Sequence, residues 1–149
     1  MWEPYLRATL PETTTAHRQR LEALLGSPLP DRYWSLAVTH QVEVLDEDSM
    51  ADPQFASLIL LLVVPPEAVG PREASYCVET SLQAIRENYP SGLLPFADDT
   101  GGNLWAFDAR ARPGDPAIVF IDHELMSDDA VFPVAPNFDA FLAMLEAGS

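Results

Sequence analysis

Asp98-Asp99-Thr100-Gly101-Gly102-Asn103 sets two carboxylates, a carboxamide and two glycines side by side. Oxygen ligands at that density could hold a cation or run acid–base chemistry. An EF-hand loop, however, needs oxygen ligands at alternating positions and a closing Glu, and neither is present. Adjacent Asp side chains diverge unless a turn folds them together, so the favoured reading is a β-turn in which Asp and Asn bond the backbone and the glycines supply positive φ. The glycines enter a strand instead of opening a helix, and no Lys or Ser/Thr follows in register, which argues against a phosphate loop. His123, between Asp122 and Glu124, could act as a base or a metal ligand. His17 and His40 fall on separate predicted helices without zinc-type spacing, so His123 is expected to be a surface histidine. Cys77 has no local partner signature and is expected to be a buried thiol, and no Gly-x-Ser-x-Gly elbow occurs. The expectation is therefore no catalytic residue, no metal and no cofactor. A small metal-dependent hydrolase using Asp98, Asp99 and His123 remains the remote alternative.

These residues must be positioned by strands. Leu104 to Asp108 alternates and is followed, after a polar connection, by Ala117 to Asp122, which reads as a hairpin. Residues 1–15 read as an irregular lead-in ending at a helix cap, Thr14 or Thr15, with a helix to about Leu25 and Gly26 just beyond it. Pro30 and Asp31 start a second helix with Tyr33, Leu36, Ala37 and His40 on one face. Val42 to Leu45 reads as an edge strand leading to the acidic loop Asp46-Glu47-Asp48, and Phe55 to Val64 as a central strand buried on both faces. Tyr76 to Val78 could pair briefly, and Ser81 is expected to cap a helix through about Tyr89. Val131-Phe132 reads as a second edge. Asn137 caps the clearest helix, whose Phe138, Phe141, Leu142 and Leu145 follow the i, i+3, i+4, i+7 spacing. Trp105, Phe107, Phe120 and Phe138 have the spacing of core residues. No repeat or domain boundary is visible, so the chain reads as one domain over 1–149. Its class is α+β: a mainly antiparallel, curved sheet flanked by N-terminal, middle and C-terminal helices.

Composition narrows the partners. The 149 residues carry 23 Asp and Glu against 8 basic residues, every one of them Arg, for a net charge of −15. That surface repels phosphates and anionic lipid, so nucleic acid and membranes are not expected ligands, whereas a basic protein is attracted to it by steering. The lone Cys77 points to a reducing compartment, the cytoplasm. The N-terminus has no secretory pattern, and the apolar run Leu58 to Val64 is far below the ~20 residues that span a bilayer.

Several of these features together resemble one family. They are Leu29-Pro30-Asp31-Arg32-Tyr33, the Asp-Asp-x-Gly-Gly-Asn hairpin with its strand-end Asp108, Asp122-His123-Glu124, and Phe138 with Phe141-Leu142. This set is similar to the SUKH superfamily, the domain of Smi/Knr-type cell-wall regulators and of many bacterial toxin-immunity proteins. His40-Gln41-Val42 stands where many members carry an Asn-Gly-Gly-like turn. The resemblance implies a non-enzymatic protein-binding module, an immunity protein that neutralises a cognate, basic toxin such as a nuclease. A regulatory or scaffold protein of the same fold is the alternative. The expected partner surface is the acidic rim of Asp46, Glu47, Asp48, Asp98, Asp99, Asp122 and Glu124.

Overall fold

The computed structural model describes residues 2–6, 9–45, 55 and 57–146. Thr14 opens the first helix by a reciprocal cap. Its hydroxyl accepts the His17 N–H, and the His17 ring accepts the Thr14 N–H, so two otherwise unpaired amides are satisfied. Helix α1 (Thr15–Leu25) stops at Gly26, whose φ of 78° is the left-handed geometry that glycine adopts without a Cβ clash. Helix α2 (Asp31–His40) buries Tyr33 and Ala37. A short α3 (Pro71–Ala74) precedes α4 (Val78–Ile85). The strand expected at Tyr76 to Val78 is reduced to one parallel bridge, because Leu62 N–H donates to Tyr76 O and Val78 N–H donates to Leu62 O. Pinned there, the chain turns directly into α4 with Cys77 as its N-cap, ahead of the expected Ser81, and α4 ends at Ile85, short of Tyr89. Helix α5 (Phe138–Glu146) matches expectation, with the Ala140 N–H donating to the Asn137 side chain at 2.9 Å.

The strands are β1 (Trp2–Pro4), β2 (Glu43–Leu45), β3 (Ile59–Leu60), β4 (Leu93–Asp98), β5 (Leu104–Asp108), β6 (Ala117–Ile121) and β7 (Val131–Ala135). They form one curved antiparallel sheet in chain order, and the class is α+β. Three local readings are corrected. The lead-in 1–15 contains β1, which makes β2 the second strand instead of an edge. Its pairing of Trp2 with Leu45 is long-range, and three residues carry no periodicity. The long central strand shrinks to Ile59–Leu60, although Leu58 to Val64 is wholly buried as expected. Leu93–Asp98, not read as a strand from the sequence, is a buried strand.

Register decides which face each side chain takes. Leu94 pairs with Phe107 and Pro95 with Ala106, but Ala97 pairs with Trp105 and Asp98 with Leu104, so a bulge lies between Pro95 and Ala97. Proline supplies no N–H to a ladder and is tolerated at such irregularities. One face carries Phe96 and Phe107 against Tyr33 of α2 and Phe138 of α5, with Tyr33–Phe107 and Phe96–Phe107 centroids 4.8 and 4.7 Å apart. Phe120, expected in the core, is only partly buried, beside Trp105 at 5.2 Å. The opposite face carries Leu104 and Ile121 towards α4. Simple alternation along Leu94, Phe96 and Asp98 puts Asp98 with the aromatic core; the extra residue moves it to the α4 face.

Candidate functional site

Lateral pairing draws a row across the sheet through Val44, Ile59, Asp98, Leu104 and Ile121. Asp98 is the one polar member of this stretch, which continues to Glu3 of β1 on one side and Val131 of β7 on the other. The row lies at the end of the sheet where β2 and β6 finish and the β4–β5 turn emerges, so Asp98, Asp99, Asp122 and Glu124 are brought to one end. The other acids expected there, Asp46, Glu47 and Asp48, lie outside the described residues.

The Asp-Asp-x-Gly-Gly-Asn stretch is a turn, as its composition suggested, and its two carboxylates do different work. Asp99 Oδ1 accepts the Gly101 and Asn103 N–H groups at 2.8 and 3.0 Å, while its Oδ2 accepts the Asn103 carboxamide N–H at 2.8 Å. Its hydrogen-bonding capacity is therefore directed into the loop. Asn103 then reaches across to the end of β6: its Oδ1 accepts both the His123 N–H at 3.0 Å and the His123 Nδ1–H at 2.7 Å. The exposed His123 is thus bound to the hairpin turn through its backbone N–H and Nδ1. Asp122 Oδ1 accepts the Glu124 N–H at 2.9 Å, and the Tyr89 hydroxyl donates to Leu125 O at 3.1 Å. Glu124, Leu125 and Met126 are exposed.

Asp98 behaves differently from Asp99. Burial pushes its carboxyl above the usual carboxylate range and the Asp99 charge adds to this, while the Thr100 N–H, 3.2 Å from Oδ1, pulls the other way. Strand-end Asp108 sits at the far end of β5. Burial there is outweighed by a bidentate grip from Arg110, at 3.0 and 2.9 Å, which holds the carboxyl low. Arg110 in turn reaches Asp128 at 2.9 Å and so ties down the β6–β7 connection. The Cys77 thiol is pushed up to about 12 by burial, with Glu79 and Glu67 adding to it, which suits a structural thiol.

The two glycines of the turn are not equivalent, contrary to the expectation that both supply positive φ. Gly102 has φ of 99°, and Thr100 rather than Gly101 supplies the other left-handed residue, at 66°. A Cβ on Gly102 meets the His123 ring at 3.2 Å, whereas one on Gly101 makes only ordinary contact with Asp99. Gly102→Ala is accordingly expected to lower stability by roughly 1–3 kcal/mol and Gly101→Ala by less than ~0.5 kcal/mol in urea denaturation. Equal losses for the two variants contradict this account.

Tyr89, expected at the end of the helix opened by Ser81, lies past the end of α4 and bonds the segment after β6. Its spacing in a helical pattern concealed this, and only the nearby Pro90-Ser91-Gly92 break hinted at it. No helix among the described residues is long and apolar enough to cross a membrane. No curated protein and no solved structure gives a significant match to the chain. Residues 12–144 match the sequence model of the SMI1 / KNR4 family (SUKH-1), a span that runs from the approach to α1 through nearly all of α5. With the Asp-Asp-x-Gly-Gly-Asn turn, strand-end Asp108 and the Phe138 helix in the places that resemblance implied, the chain belongs to the SMI1 / KNR4 (SUKH-1) family.

Proposed function

We propose that this protein is a non-enzymatic, cytoplasmic binding module of the immunity type, which neutralises a basic toxin by covering its working surface. The observation that carries this reading is the gathering of Asp98, Asp99, Asp122 and Glu124 at one end of the sheet, beside the exposed Leu125 and Met126. Asp46, Glu47 and Asp48, which follow Leu45 in the chain, are assigned to the same surface. A net charge of −15 raises the encounter rate with a basic partner, and Met126, 60% exposed, supplies apolar area to bury once contact is made. Individual exposed ion pairs contribute only ~0–1 kcal/mol, so the acids act chiefly through the association rate.

The test begins with the neighbouring genes and uses any toxin domain found encoded there. Raising salt from ~50 to ~500 mM shortens the Debye length from roughly 14 to about 4 Å, so association is expected to slow by about tenfold or more with dissociation little changed. Asp122→Asn with Glu124→Gln is expected to slow association at low salt in the same way. An association rate indifferent to both sinks the assignment of this surface. A gene neighbourhood without any toxin turns the reading towards a regulatory protein of the same fold.

A further inference from the structure

We propose that the pocket between α4 and Asp98 receives an arginine side chain presented by the partner protein, an inference that rests on the protein-binding reading above. The pocket has a volume of about 310 Å³. Ile85, Leu104 and Ile121 supply apolar wall, Tyr89 and His123 supply rings, and Asp98 supplies a carboxylate. Each part matches one portion of arginine. The methylene stem is covered by apolar wall, the planar guanidinium stacks on a ring, and the fork of N–H donors meets a carboxylate. Lysine, a strongly hydrated point charge, makes poorer use of the rings.

The state of Asp98 in the free protein favours this occupant. It stands in a row of apolar residues, and the Thr100 N–H is bonded to only one of its oxygens. The described ion pairs engage other carboxylates: Arg110 holds Asp108 and Asp128, and Arg20 holds Glu67 and Glu79. A carboxyl whose folded pKa is raised binds its proton more tightly in the fold than in the unfolded chain. Its contribution therefore favours the fold at acid pH and opposes it above that raised value. Relative to its protonated form, ionised Asp98 is therefore the less favourable state in the fold, and an incoming guanidinium offsets this by pairing with it inside the pocket. The surrounding charge of −15 draws a basic protein to the site.

The experiment follows backbone amide and side-chain methyl signals by NMR while the whole protein is titrated with N-acetyl-arginine-N-methylamide. The lysine and norleucine analogues serve as comparisons. Saturable shifts at the Gly102 amide and the Leu104 and Ile121 methyls are expected with the arginine compound, weaker shifts with lysine and none with norleucine. Asp98→Asn is expected to weaken the arginine response by about tenfold, in line with loss of a buried charge partner, and to raise the urea midpoint. The second readout separates a binding carboxylate from a structural one, whose removal lowers the midpoint. Absent or non-saturating shifts, equal shifts with norleucine, an undiminished response in Asp98→Asn, or a lowered midpoint each overturn the proposal. Toxin association is measured in parallel. Salt-sensitive toxin binding without the arginine response rejects the pocket alone, whereas loss of both rejects the binding function as well.

Discussion

Tyr33→Phe is expected to make this protein more stable by about 1 kcal/mol, whereas Tyr33→Ala at the same position is expected to cost about 4 kcal/mol. Tyr33 is 1% exposed, and its ring packs edge-on against Phe96, Phe107 and Phe138 at 5.7, 4.8 and 5.6 Å. Removing the ring opens a cavity where α2, α5 and the sheet meet, and such aromatic truncations cost about 3–5 kcal/mol. Its hydroxyl, by contrast, has no hydrogen-bond partner among the described residues, and burial alone pushes its pKa well above the ordinary tyrosine value. A buried hydroxyl left unpaired costs about 1–3 kcal/mol, and phenylalanine removes that cost while keeping the packing. Urea denaturation of the two variants measures both effects. A destabilised Tyr33→Phe contradicts the unpaired hydroxyl.

Arg20→Ala is expected to cost about 2 kcal/mol, with much of the loss recovered by adding Glu79→Gln. Arg20 donates through Nε and Nη2 to Glu79 Oε1 at 3.0 and 2.8 Å, and through Nη1 to Glu67 at 2.7 Å. It thereby joins α1 to α4 and to the Pro66–Ala68 turn. Glu79 is 8% exposed and its Oε2 is unpartnered among the described residues, so removing Arg20 leaves a buried carboxylate without its counter-charge. Breaking a fully buried pair costs about 3–5 kcal/mol. The lower figure here reflects Arg20, whose side chain is 43% exposed and remains screened by water. The loss expected from Arg20→Ala comes from Glu79, so a double-mutant cycle separates it from lost packing. Arg20→Ala within ~0.5 kcal/mol of wild type, or no recovery in the double variant, disproves it.

Features encoded within one turn of chain were legible in the sequence. The Thr14 cap and Gly26 stop of α1, the Asn137 cap of α5 and the stripe Phe138, Phe141, Leu142 and Leu145 stand as read. So does the pairing of Leu104–Asp108 with Ala117–Ile121, because adjacent alternating segments leave few other registers. The Asp99 turn was readable for the same reason: its carboxylate and the amides it binds lie within four residues of each other. The acidity that argues against phosphate ligands is a property of composition alone.

What failed to show involved partners distant in sequence. Nothing in Trp2-Glu3-Pro4 marks a strand until Leu45 and Val44 lie beside it, and Pro95 disguised Leu93–Asp98 until its bulge against β5 was visible. The same holds for the candidate site. The sequence determined that Asp98 exists next to a glycine turn and that the protein is acidic, because residue type and local spacing suffice for both. Only the tertiary structure decided that Asp98 faces α4 in an apolar row, with Tyr89 and His123 around the same pocket. A single extra residue in one strand reverses the face of every side chain after it, and a register of that kind is set by long-range pairing rather than by the residues themselves.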